Sequence, residues 1–213
     1  MSPYIAIEGP IGVGKTTLVQ KLRERMAAEV VFDVADNPFL ADFYGEKAAA
    51  AFKTQMYFLA CRFQQQLDIE SVRQAQGALV SDYLFARDKI FAYLNLDDQE
   101  IVIYDKYFAS LSRFVRAPDL AVYLKAPLEV LMERLKRRSV EYEAGISEGY
   151  VEELIKAYDH FFYHYEESPL LIVNTAEIDF VANDKDLQAL VARIAGGKVR
   201  GVEYYHPIRR KTT

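Results

Sequence analysis

The chain has 213 residues, 51% of them apolar, and a formal net charge of −5. That length supports one domain, or one domain with a lid, with a full core, and the acidic balance argues against broad affinity for nucleic acid. Cys61 as the lone cysteine excludes an intrachain disulfide, and with no run of 18 apolar residues and no basic-then-apolar leader the chain is expected to be soluble and cytoplasmic, off the membrane.

Short apolar strands alternate with longer helical stretches. The first strand, 4–8, runs directly into Gly9-Pro10-Ile11-Gly12-Val13-Gly14-Lys15-Thr16, which fits G-x-x-x-x-G-K-[ST]. Strand, loop and helix in that order are what a phosphate-binding loop requires. Its glycines let the backbone curl until successive N–H groups face phosphate oxygens, and the helix that follows adds its positive end. Gly9, Pro10, Ile11, Gly12, Val13, Gly14, Lys15, Thr16 and Thr17 are therefore the expected contacts to ATP. Lys15 is expected to reach the outer phosphates, and Thr16 to place a hydroxyl on Mg²⁺.

Further strands are predicted at 29–34, 77–82, 119–125 and 169–174, with helices near 15–28, 38–48, 50–74, 84–94, 98–115, 127–138, 148–166 and 184–195. Continuous apolar strands between helices define an α/β fold, a five-stranded parallel sheet with helices on both faces. Functional residues should gather after the strands, at their carboxyl ends. One domain over 1–195 is expected, with a lid at about 134–147, and 196–213 as a C-terminal tail that is either a frayed end or an oligomer contact.

In the helix over 50–66, Gln55 and Arg62 lie seven residues apart on one side, suited to the edge of a planar heterocycle or simply to a solvated polar stripe. Asp82 ends the third strand, where a carboxylate can hold Mg²⁺, meet a substrate or cap the next helix. Arg134 and Arg138 share a helix face ahead of the polar loop 139–145. They fit a lid that closes over ATP, or cations answering a helix C-terminus. His160 and His164 have the spacing of half a metal site, but Phe161 stands where H-E-x-x-H needs glutamate, so they are expected as ordinary core or surface residues.

Taken together, Asn37-Pro38-Phe39-Leu40 with Phe43-Tyr44, the Gln55 and Arg62 helix, and Glu143-Ala144-Gly145-Ile146 make the chain resemble the deoxynucleoside kinase family, in its bacterial deoxyadenosine and deoxyguanosine kinase-like branch. The resemblance implies a P-loop kinase fold with an Arg-bearing lid and a helix-packed homodimer. It implies that Tyr44 and Glu143 hold the sugar 3′-hydroxyl, that Gln55, Arg62 and Asp88 read the base, and that Arg134 and Arg138 are the paired lid arginines. Phe58, Phe85 and Phe91 are the candidates for packing on the base. The family's glutamate after the second strand is missing, so Asp33 is expected to be the catalytic base, with Asp36 in reserve. The arginine usual after Asp82 is replaced by Tyr83, leaving Arg87 or Lys89 to substitute, and a further lid arginine is replaced by Val140, leaving Lys136 or Arg137.

The function so implied is ATP-dependent phosphoryl transfer to the 5′-hydroxyl of a deoxyribonucleoside, most simply deoxyadenosine or deoxyguanosine, in nucleotide salvage. Two rivals share the loop. A nucleoside monophosphate kinase such as thymidylate kinase would need an arginine for the acceptor phosphate, and a non-catalytic nucleotide-binding regulator would bind ATP without phosphorylating a nucleoside.

Overall fold

Runs of β-branched and aliphatic residues that are buried on both sides can satisfy their backbone only in a sheet covered by helices. Four strands among the described residues follow this rule, and two less buried ones complete the sheet. A computed structural model describes residues 3–34, 36–45, 49–138 and 146–206, with backbone alone at Glu70, 73–76 and Arg138. The strands are β1 (Tyr4–Glu8), β2 (Glu29–Val31), β3 (Leu79–Ser81), β4 (Leu120–Lys125), β5 (Leu170–Asn174) and β6 (Val202–Tyr205). They form one sheet in the order β2-β3-β1-β4-β5-β6, with every neighbouring pair parallel.

The helices are α1 (Lys15–Met26), α2 (Leu40–Tyr44), α3 (Ala50–Gln76), α4 (Asp88–Asn95), α5 (Asp98–Ser112), α6 (Leu128–Arg138), α7 (Glu148–Tyr163) and α8 (Asp184–Ala195). Strand alternation sorts the core into two layers. Ile5, Ile7, Val122 and Leu124 face α1, α6 and α8 through Leu18, Leu22, Leu131 and Leu190. Ala6, Ala121 and Tyr123 face α7 through Leu154, Tyr158 and Phe162. A third cluster, around Leu59, Tyr104 and Phe108, packs α3, α4 and α5 together. Among the described residues no helix is long and apolar enough to cross a membrane.

Five predicted strands fall where the structure has them. The expectation of a five-stranded sheet is corrected by β6, which lies in the segment expected to be a tail. Val202 and Tyr204 are exposed while Glu203 and Tyr205 are partly covered, so the strand has one wet face. Next to Gly196-Gly197 and scattered basic residues, that short alternating run carries no continuous apolar signal. What fixes it is non-local: pairing with β5, and an ion pair from Arg193 on α8 to Glu203. β2 is shorter than the predicted 29–34, because the chain leaves the sheet after Val31 and carries Asp33 toward the loop of β1. The predicted helix at 84–94 is a 3₁₀ turn, Phe85–Arg87, running into α4.

Candidate active site

β1 sits between β3 and β4; the chain runs from β1 toward β2 on one side and from β4 toward β5 on the other, which opens a crevice at the carboxyl end of β1. The phosphate loop fills that point. Gly9, Gly12 and Gly14 all have positive φ. At Gly9 a Cβ would lie 2.2 Å from the Leu124 carbonyl oxygen, so no other residue fits there without moving β4. Lys15 folds back over the loop and donates to the carbonyls of Gly9 (2.6 Å) and Pro10 (3.2 Å). Loss of hydration pushes its pKa down to about 8; Glu8 opposes this and the Arg87 charge adds to it.

Beside the loop, Thr16 donates its hydroxyl to Asp82 Oδ2 at 3.1 Å, and the Asp33 N–H donates to Asp82 Oδ1. Burial raises the Asp82 pKa, and the nearby Asp33 carboxylate adds to the rise. Asp33 itself is gripped twice. Arg62 donates from Nε (2.8 Å) and Nη2 (3.0 Å) to its two oxygens, and Arg87 donates from Nη2. Burial alone would raise the Asp33 pKa, but the two guanidiniums hold it well below the usual carboxylate range. Asp36 is exposed and stands outside the cleft.

Arg62 reaches on to Asp88, which also accepts from the Tyr104 hydroxyl at 2.9 Å. Gln55 donates its amide to the Asp88 carbonyl at 3.0 Å. These three residues, read from sequence as one group, do converge, with Gln55 and Arg62 lining the cleft and Asp88 fully buried behind them. Phe58 lies 4.6 Å from the Arg62 guanidinium and Phe91 lies 5.4 Å from that of Arg87, and both line the cleft. Phe85 does not; it stacks on Phe108 inside the helical layer, because the 3₁₀ turn directs it toward α5. Tyr44 lines the cleft from the end of α2. Asn37 docks that helix on α3 by donating to the Thr54 carbonyl (3.0 Å), while Thr54 donates back to the Phe39 carbonyl (3.2 Å).

Of the two cations offered in place of the missing arginine, Arg87 enters the site, whereas Lys89 turns outward to Asp105 at 3.6 Å. Tyr83 is fully buried under Arg62 and accepts from Gln66. Arg134 is fastened rather than free: it donates to the Val13 carbonyl and to the hydroxyl and carbonyl of Thr175, at 2.8–3.2 Å. Arg137 lines the cleft. The side chain of Arg138, and Val140 and Glu143, lie outside the described residues. His160 and His164 lie side by side at the end of α7, their rings 4.5 Å apart and tilted by 54°, outside the cleft.

The cleft measures about 1500 Å³. A pocket for one small ligand occupies about 300–1,000 Å³, so this one has room for two. Its far wall is the segment after β5, residues 175–183, where Phe180 lies against the phosphate loop at Gly14. Sequence reading missed that wall, as it missed Glu8, Tyr104 and Tyr158. Only Glu8 left a trace, as an acid closing a strand whose other four residues are apolar.

A phosphate loop, an acceptor pocket opposite it and carboxylates between them define a P-loop kinase that acts on a small molecule. The chain belongs to the deoxynucleoside kinase family, whose profile it matches over residues 5–197. It is 32% identical over 199 residues to the deoxyguanosine kinase of Bacillus subtilis (strain 168), covering 91% of this chain and 96% of that one. With the deoxyadenosine kinase of Dictyostelium discoideum it is 40% identical over 164 residues, 74% of this chain and 66% of that one. The fold is similar to that of deoxyadenosine kinase from M. mycoides, with a TM-score of 0.77 at 23% identity, over 92% of this chain and 100% of that one.

Proposed function

We propose that this kinase transfers the γ-phosphoryl group of ATP to the 5′-hydroxyl of a purine deoxyribonucleoside. The observation that carries the reading is Arg62, which bonds both Asp33 and Asp88 and so puts the base-reading group and the reacting carboxylate within one side chain's reach. Relatives named deoxyguanosine and deoxyadenosine kinase support the purine preference. Gln55 and Arg62 meet the base edge, with Asp88 holding Arg62 from behind and Phe58 and Phe91 against the faces of the base. Tyr44, with Glu143, holds the 3′-hydroxyl. Residues 9–17 cradle the triphosphate, Arg134 braces the loop from behind, and Arg138 belongs to the lid at about 134–147 of a kinase domain spanning 1–195.

Asp33 orients the 5′-hydroxyl. As the new O–P bond forms and ADP leaves, the hydroxyl proton passes to the Asp33 carboxylate. A carboxylate held so acidic is a weak base, which suits a loose transition state in which the attacking oxygen keeps its proton until late. Most of the rate then comes from alignment and charge. Thr16 and Asp82 fit Mg²⁺: their oxygens are 3.1 Å apart beside Lys15, and both are hard donors of the kind that ion takes. Bound there, Mg²⁺ would neutralise charge on the phosphate oxygens.

Exposed Tyr93, Val102, Ile103 and Tyr107 on α4 and α5 support burial in a homodimer, to be read from the mass in solution. Cys61 with no disulfide partner supports a reducing, cytoplasmic setting.

The test is a panel of the four deoxyribonucleosides and their 5′-monophosphates with ATP. Deoxyadenosine or deoxyguanosine should be turned over best. Preference for a monophosphate would instead favour a thymidylate kinase-like reaction, and ATP binding with no acceptor phosphorylated would favour a regulator.

A further inference from the structure

Glu8 is a fully buried carboxylate directly beneath a loop built for phosphate. A negative charge there weakens anion binding, and removing a carboxylate from water is costly before any partner is counted. An apolar residue would end β1 at lower cost, as Tyr4, Ile5, Ala6 and Ile7 continue it. What the carboxylate does must justify both penalties.

It accepts from four donors on three separate segments. The Gly9 N–H opens the phosphate loop (2.8 Å), the Leu84 N–H follows β3 (2.9 Å), the Tyr158 hydroxyl comes from α7 (3.0 Å) and Arg87 Nη1 from the 3₁₀ turn (3.3 Å). Strand alternation explains the reach of Tyr158: Glu8 shares a sheet face with Ala6, which packs in the α7 layer. Arg87 is held at both ends, by Glu8 through Nη1 and by Asp33 through Nη2. The Glu8 end rests on the central strand of the sheet. The Asp33 end rests on a segment that has already left β2.

We infer that Glu8 is a positioning residue for phosphoryl transfer. Its carboxylate fixes the Arg87 guanidinium against Asp33, and Tyr158 fixes that carboxylate from α7. This rests on the reading of Asp33 as the group that meets the 5′-hydroxyl. It explains how an arginine five residues after Asp82 serves where Tyr83 has displaced the family's arginine: the relocated side chain is aimed from behind by an acid on β1.

Glu8→Gln keeps the shape and one acceptor oxygen, sets its amide NH2 against one of the two N–H donors (Gly9 or Leu84), and removes the charge that orients Arg87. The expected result is a fall in kcat of about 10- to 100-fold with KM for ATP within about threefold, the range seen when a supporting partner of a reacting group is lost. A purely structural role would lower Tm without that split. The decisive readout is the double variant. If Glu8 acts through Arg87, Glu8→Gln in an Arg87→Ala background costs less than about twofold more. Losses that multiply, a Glu8→Gln kcat within about twofold of wild type, or a loss confined to KM for ATP would each overturn the inference. Should Glu8→Gln fail to fold, Tyr158→Phe replaces it in the same cycle, with a loss of about threefold or more that vanishes in the Arg87→Ala background. Wild-type protein assayed alongside separates the two levels: no turnover of any deoxyribonucleoside defeats the underlying reading, whereas normal wild-type turnover with an unaffected Glu8→Gln defeats this one alone.

Discussion

Arg62 closes on Asp33 through two near-parallel bonds, Nε to Oδ1 at 2.8 Å and Nη2 to Oδ2 at 3.0 Å, while its remaining nitrogen reaches Asp88. Fork-to-fork pairing of this kind fixes direction as well as distance. Asp33 is thereby oriented before any substrate arrives. On the proposed reading, a nucleobase that engages Arg62 pulls on the same side chain that holds Asp33.

Asp33→Ala should remove turnover by about 10²- to 10⁴-fold, whereas Asp36→Ala should change it by less than about twofold. Steady-state kinetics with a fixed acceptor decide between them. Asp33→Ala also removes the carboxylate shared by Arg62 and Arg87, leaving Arg62 only Asp88 and Arg87 only Glu8 as acidic partners, which should cost roughly 3 kcal/mol, or about 6–12 °C in Tm. The sign with pH follows from a carboxyl whose folded pKa lies below its ordinary 3.8. The network's contribution is complete above about pH 4 and drains away as acid is added, so the wild-type and variant Tm values should converge on acidification.

Burial pushes the Lys15 pKa down to about 8 when no nucleotide is bound. A triphosphate favours its ammonium form, so binding above that pH must bring a proton with it. ATP affinity should fall about tenfold per pH unit above 8, and nearly one proton should be taken up per ATP bound at about pH 9. Calorimetry in buffers of different ionisation enthalpy measures this directly. Lys15→Arg should abolish the uptake, and Lys15→Ala should abolish turnover.

Gly9→Ala places a methyl group against the Leu124 carbonyl at a backbone angle that L-residues rarely adopt. Loss of ATP binding is expected, with a Tm lower by several degrees, as read by calorimetry and thermal unfolding. Gly77→Ala tests the geometry in reverse. That position also has positive φ, but nothing lies within 4 Å of the added carbon, so only the backbone penalty remains and ATP binding should persist.

Gln55→Ala should lower kcat/KM for the nucleoside by about 10²-fold or more, with KM for ATP unchanged, because Asp88 and Arg62 then face an unfilled edge. Lys89→Ala should be nearly silent, since its partner Asp105 lies 3.6 Å away at the surface. A large loss of turnover on Lys89→Ala would reverse the assignment between Lys89 and Arg87.

Much of the site was legible because its signals are local. The phosphate loop is a contiguous motif. Gln55 and Arg62 share a helix side by spacing alone, and Asp82 ends a strand that pairs with β1. Other choices depended on contacts across the chain. Asp33 and Asp36 look alike until the chain leaves β2 and meets Arg62 from α3. Arg87 and Lys89 are two residues apart, and only the 3₁₀ turn running into α4 shows which one points inward. Phe85 was misjudged for the same reason. Residues 175–183 have no motif, and they become a wall only because β5 pairs with β4 and ends level with the loop. Glu8 stood one residue before the motif, and its four donors come from as far as Tyr158.

β6 carries a further consequence. Without it, β5 would be the outermost strand on that side, and its hydrogen-bonding groups would be a ready template for another chain. Since β5 leads into Thr175, which fastens Arg134, the sixth strand works as a selvedge that keeps the nucleotide side of the sheet from fraying. A version trimmed at residue 197, where the family match ends, should lose colloidal stability before it loses catalytic groups.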